Sequence, residues 1–284
     1  KYLNLLNQSK KQFGGMDNLN VQVHLFSAEE KKSFWHNIEL KNIELKNEDT
    51  TYNMVCEIPR GTRKKMEVNL EEKTNPIVQD KKKNKLREVS SFVGEYKKNN
   101  IYNGYIVNYG MFPQTWEGNK DHINEKTGFG GDGDPIDVCD ISTNMVRNSG
   151  DVYKVKVLGI LGMIDEGETD WKVIVAAHND PDFININDIK EVNKDILVNI
   201  IDWFSNYKPG KKNSMYNFQG TNDDKKQNAE VVNFNEDSSI IVDKYYQGKD
   251  YAIKEIEHTH ELYKKLLEEH ENEFFVSGNV VPPS

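Results

Sequence analysis

From residue 52 to residue 177 the chain reads as a series of short strand patterns divided by turn signals, ahead of any long helix. "YNMVCEIP" (52–59), "KKMEVNL" (64–70), "NPIVQD" (75–80) and "KLREVSSFV" (85–93) make a meander, and "DVYKVKVLGILGMI" (151–164) and "WKVIVAA" (171–177) come later. Val152, Lys154 and Lys156 alternate with Tyr153, Val155 and Val157, the period of a half-buried strand. Many short strands before the first helix predict a barrel or a sandwich. The Lys-rich "KKKNK" (81–85) sits between two of them and reads as a solvated hairpin tip.

Two helices are expected after the strands. In "KDILVNIIDWFSNYK" (194–208) Ile196, Ile200, Trp203 and Tyr207 share a face, and Lys208-Pro209-Gly210 stops the helix. In "DYAIKEIEHTHELYKKLLEEHE" (250–271) Ile253, Ile256, His260, Tyr263 and Leu267 form a packing stripe whose histidines are satisfied or exposed. Between the helices, 221–248 is polar and reads as a long exposed insertion with a short strand at "SSIIVDKYY".

The 284 residues suffice for a substantial core. Mean hydropathy is −0.77, and no apolar run approaches the roughly 18–20 residues that cross a bilayer. A net charge of −9 opposes a general nucleic-acid binder. Cys56 and Cys139 stand far apart in no CxxC pattern, so reduced thiols and a cytoplasmic setting are expected. "KYLNLLNQSKKQ" at the start lacks the apolar core of a signal peptide.

The chemistry concentrates in "GFGGDGDPIDVCDI" (128–141), with Asp132, Asp134, Asp137 and Asp140 within nine positions. Such crowding raises carboxylate pKa values unless cations intervene. An EF-hand loop counted from Asp132 fails, because Ile136 and Asp137 fall where an oxygen ligand and a glycine are needed. Ile136, Val138 and Ile141 interleave with the acids, which suggests a strand whose acidic face looks into a cleft. "MIDEGETDWKVI" (163–174) carries Asp165, Glu166, Glu168 and Asp170 around a turn at Gly167, with Asp170 and Lys172 on one strand face. "EIPRGTRKKMEV" (57–68) adds Glu57, Lys65 and Glu67; Arg87, Tyr109, Tyr207 and Lys208 add cations and phenols. Hard oxygen ligands without His or Cys favour magnesium or manganese, and the mixture suits a small polyanion held through metal ions.

With these residues in view, the chain resembles a family I soluble inorganic pyrophosphatase of the eukaryotic type. "DGDPIDV" satisfies every position of that family's signature D-[SGDN]-D-[PE]-[LIVMF]-D-[LIVMGAC], and "NMVCEIPRGT", "NPIVQD", "GYIVNYGMFPQTW", "MIDEGETDWKVI" and "WFSNYKPG" stand in the family's order. The resemblance covers 20–215 closely and the last helix with "FFVSGNV" more loosely. Departures are Gly61 in place of an aromatic, an insertion at "GEYKKNN" (94–100), and the enlarged segment 221–248.

The resemblance implies a mainly β, α+β fold: a small closed five-stranded OB-like barrel with peripheral strands and two main C-terminal helices. It implies a single domain over 1–284, with an arm at 1–19, a catalytic core at 20–215, a flexible insertion at 221–248, and the helix and tail at 250–284. The implied enzyme is an inorganic diphosphatase that hydrolyses pyrophosphate to two orthophosphates, as a cytoplasmic homodimer without nucleic-acid or membrane partners. Asp134 is the implied general base. Asp132, Asp137, Asp165, Asp170 and Glu67 are the implied ligands of several Mg2+ ions, with Mn2+ as a substitute, and Glu57 lies behind them. Lys65, Arg87, Tyr109, Lys172, Tyr207 and Lys208 are the implied phosphate contacts.

Two rivals separate cleanly. A phosphatase using "DGDPI" as an aspartyl-phosphate nucleophile would place the motif directly after an apolar strand, yet "GFGG" precedes it, and a covalent phospho-Asp132 would mark it. A binding module on an OB-type barrel would carry aromatics interleaved with basic residues.

Overall fold

The computed structural model describes residues 22–26, 31–42, 50–96, 100–208, 210–271 and 278–283. The arm at 1–19, part of "GEYKKNN", Pro209 and most of "FFVSGNV" lie outside the described residues. Five strands form the centre: β1 (Thr51–Ile58), β2 (Asn108–Met111), β3 (Asp137–Asp140), β4 (Val152–Leu161) and β5 (Lys172–Ala177). They pair in the order β1-β2-β3-β5-β4, and β4 returns to β1, so the sheet closes on itself. The pairing of β3 with β5 is parallel and the others are antiparallel. Closure removes the free edges of the sheet.

Successive residues on a strand point to opposite faces, and two apolar layers result. One joins Tyr52, Met54, Val138, Val173 and Val175 to Ala252 and Ile256. The other joins Cys139, Leu158, Ile174 and Ala176 to Leu197, Ile200 and Ile201. The first is covered by α3 (Lys249–Glu269) and the second by α1 (Lys194–Asn206). Because both faces are covered, β5 is buried along its whole length. Asn193 caps α1 by accepting from the Asp195 N–H at 2.9 Å. Cys56 and Cys139 are free thiols buried in the barrel wall.

Segment 221–248 departs from the expected exposed loop. "SSIIVDKYY" is a helix, not a strand: α2 (Ser238–Tyr245) starts at Asp237, whose side chain accepts from the Ser239 N–H at 2.8 Å. Ile241, Val242 and Tyr245 are buried on one helical face, and burial on that period outweighs the β preference of Ile and Val. Ala229–Glu230 pairs with Ser214–Tyr216, and Tyr246–Gly248 adds to β4. Among the described residues, α2 therefore joins the two expected helices beside the barrel. "KLREVSSFV" also divides: Lys85–Leu86 closes a hairpin on Lys81–Lys82 and Phe92–Val93 pairs with Ile101–Tyr102. The "KKKNK" tip is exposed, with Lys83 and Asn84 at positive φ. His260 is satisfied by the Gln114 carbonyl at 2.6 Å.

Candidate active site

The acidic loop is built by clamping 131–134 against 116–119. Gly133 N–H donates to the Gly118 carbonyl at 2.8 Å, Glu117 N–H to the Asp134 carbonyl at 2.9 Å, and the Trp116 indole N–H to the Gly133 carbonyl at 2.9 Å. Gly133 adopts φ +89, which strains a residue with a side chain. The turn leaves Asp132 and Asp134 on the cleft, with the Asp134 N–H donating to Asp132 Oδ1 at 3.0 Å. Gly110 lets β2 approach β1, since a Cβ there would stand 1.9 Å from the Val55 carbonyl oxygen. That contact sits at the register shift that sets Tyr109.

The register of β3 and β5 places Asp137 opposite Lys172. The Lys172 ammonium pairs with both Asp137 and Asp170 and donates to the Tyr109 hydroxyl at 3.2 Å; that hydroxyl donates to Asp137. Burial alone would lower the Lys172 ammonium, but Asp137 and Asp170 outweigh it and hold the group well above the usual lysine range. Carboxylate oxygens of Asp132, Asp170 and Glu117 lie within 4.8 Å of one another. Burial, then Asp134 and Asp137, push Asp132 up to about 8. The cleft walls, then Glu67 and Asp137, push Asp134 up to about 7.

A cationic wall faces these acids. Lys65, just before the strand Met66–Val68, pairs with Glu67 on that strand and with Asp80 at 3.1 Å; Arg87 pairs with Asp80. Glu57 is buried at the end of β1, accepts from the Val68 N–H at 2.6 Å, and is driven upward by burial and by Asp137. Lys208 pairs with Asp165 at the tip of the hairpin after β4. Tyr207 caps α1 and stacks on Trp203 at 4.7 Å; burial raises its hydroxyl, and Lys172, Asp170, Asp165 and Lys65 are the charges that act on it. Of the site residues read from the sequence, Glu67, Asp132 and Asp134 line one cleft; Asp137, Asp170, Tyr109 and Lys172 form one network, Lys65 and Arg87 meet at Asp80, and Lys208 meets Asp165.

The family model for inorganic pyrophosphatase matches residues 54–239. The chain belongs to the family I inorganic pyrophosphatases, in their eukaryotic type. It is 48% identical over 178 residues to the inorganic pyrophosphatase of Drosophila melanogaster, covering 61% of this chain and 50% of that one. It is 42% identical over 221 residues to that of Homo sapiens, covering 76% of this chain and 65% of that one. The chain therefore spans half to just under two thirds of the length of these curated relatives. The solved inorganic pyrophosphatase of Schistosoma japonicum superposes with a TM-score of 0.70 at 38% identity, covering 89% of this chain and 78% of that one. The N-terminally truncated vacuolar soluble pyrophosphatase of Trypanosoma cruzi, solved in complex with PPi, gives 0.67 at 30% identity over 92% of this chain and 99% of that one.

The site fits the metal ions this pyrophosphatase family implies. Glu117 Oε2 and Asp165 Oδ1 are buried without a hydrogen-bond partner, and such oxygens are costly unless a cation meets them. Every donor in the cluster of Glu117, Asp132 and Asp170 is a carboxylate, the hard set that suits magnesium. Sequence reading missed Glu117, which carries that orphan oxygen while its Oε1 accepts from the Trp171 N–H at 3.1 Å. It also missed Asp80, the acid shared by Lys65 and Arg87. The "WE" of "GYIVNYGMFPQTWEG" and the "QD" of "NPIVQD" were the available signals for them.

Proposed function

We propose that the chain hydrolyses inorganic pyrophosphate to two orthophosphates with magnesium bound at its acidic cluster. The observation that carries this reading is the convergence of Asp132, Asp170 and Glu117 beside a wall of Lys65, Arg87 and Lys208. Asp132, Asp137, Asp165, Asp170 and Glu67 would hold the cations, with Glu117 as a further carboxylate and Glu57 behind them. Magnesium, when bound, neutralises phosphate charge and lowers the pKa of water.

The chain's own groups then bind, orient and move one proton. Lys65, Arg87, Lys208, Tyr109 and Tyr207 would grip the phosphate oxygens, and positioning with charge neutralisation carries most of phosphoryl transfer. Lys172 would join them once cations take over its two carboxylates. Asp134 would accept the proton of the attacking water: it is exposed to the cleft, anchored through its N–H, and held near neutrality, where a general base works best. A homodimer and a cytoplasmic setting are further parts of this proposal, which light scattering and imaging of tagged protein would test.

The decisive experiment measures phosphate release from pyrophosphate with and without magnesium, beside an aryl phosphate ester. Fast magnesium-dependent release from pyrophosphate alone is expected. Equal activity on the ester would replace this reading with the aspartyl-phosphate one, and inactivity on both would remove it.

A further inference from the structure

An open cleft of about 580 Å³ adjoins the acidic cluster, and its walls come from distant parts of the chain. One wall is the hairpin of 67–72 and 78–81, the second is Asp132–Asp134, and the third is Val281, Pro282 and Pro283; Gln22 also lines the cleft. The third wall carries no charge, so its contribution is mechanical.

Its anchorage is specific. Asn279 is buried, and its Oδ1 meets His36 Nε2 at 2.9 Å and accepts from Asn75 Nδ2 at 3.1 Å. Its Nδ2 donates to the Leu70 carbonyl at 2.9 Å. Val280 is fully buried in the core shared with α1. Beyond it the Pro283 carbonyl accepts from Asn119 Nδ2 at 3.2 Å, and the Asn119 carbonyl accepts from the Gly131 N–H at 3.1 Å. The segment thus begins on the turn that follows Glu67 and ends on the loop that carries Asp132. Two consecutive prolines stiffen the span between these attachments, because each fixes its own φ.

We propose that residues 279–283 are a strap that sets the spacing of the Glu67 wall and the Asp132–Asp134 wall, and so positions their carboxylates for divalent cations. Asn279 is its buckle and Pro282-Pro283 its stiff span. None of these residues carries a charged side chain, and they act through the walls they join, as positioning residues. The proposal rests on the reading that the cleft binds magnesium.

The test compares the full chain with Pro282→Gly/Pro283→Gly and with Asn279→Ala. Each protein is titrated with magnesium and followed by its melting temperature and by pyrophosphate turnover. In the diglycine variant the magnesium midpoint should rise at least fivefold, while turnover at saturating magnesium stays within twofold and the metal-free melting temperature is nearly unchanged. Asn279→Ala should raise the midpoint at least as much, with a lower metal-free melting temperature. A diglycine midpoint within twofold of the parent overturns the strap, whatever Asn279→Ala does. A parent protein whose melting temperature ignores magnesium and which releases no phosphate would overturn the functional reading, and the strap with it.

Discussion

Asp137 and Lys172 face each other across the parallel pairing of β3 and β5, and the same ammonium reaches back to Asp170 on the chain leading into β5. The floor of the cleft is therefore an ion triad in which Lys172 and Asp170 are buried, 1% and 6% exposed, and Asp137 is half-buried. Buried pairs contribute little net stability against an apolar substitute, but removing one partner strands the other.

Lys172→Met should cost roughly 3–5 kcal/mol in the metal-free protein, the usual penalty for leaving a buried charge unpaired. Urea unfolding with a chelator present measures it. A loss below about 1 kcal/mol, the scale of an exposed pair, would mean that the two aspartates are not held by this lysine.

Glu117→Gln separates folding from metal binding. Burial, then Asp132 and Asp170, drive the Glu117 carboxyl upward, so the neutral amide imitates its metal-free state. The metal-free melting temperature should stay level or rise, while the shift produced by magnesium shrinks. A full magnesium shift in the variant would remove Glu117 from the set of ligands.

Much of this was legible beforehand, because local patterns carried it. Strand-like runs located β1 and β5, alternation located β4 and pointed to β3, and the two-residue spacings of Lys65 with Glu67 and of Asp170 with Lys172 put together residues that pair; β2 was not read as a strand. Glu117 was missed because its one mark in the sequence is the "WE" pair: it is a lone acid between Trp116 and Gly118, and only the clamp of 116–119 on 131–134 brings it to Asp132. Closure through β1 and β4 joins residues about a hundred positions apart, beyond the reach of any periodicity. Ile240, Ile241 and Val242 pointed to a strand, and the cap at Asp237 with burial on one face made a helix.

Metal-free stability should fall as pH rises from about 4 to about 8. Asp132 and Asp134 titrate near 8 and near 7 in the fold, against 3.8 as their ordinary value. In that window the folded chain binds more protons than the unfolded one, so the slope of stability with pH is negative. Magnesium binding at pH 7 should then release protons, which calorimetry in buffers of different ionisation enthalpy detects. A buffer-independent heat would contradict the raised values.

Asp134→Asn should leave the melting temperature and the magnesium shift largely intact while lowering pyrophosphate turnover by roughly 10²-fold or more, the scale of a lost general base. Turnover within a few-fold of the parent would assign proton abstraction elsewhere.

The triad at the cleft floor also bears on how such a protein reaches maturity. Because Lys172 places one positive charge between Asp137 and Asp170, the repulsion between these two acids is partly offset before any external ion arrives. Assembly of the barrel thereby leans less on the supply of divalent ions than the number of clustered acids alone would require.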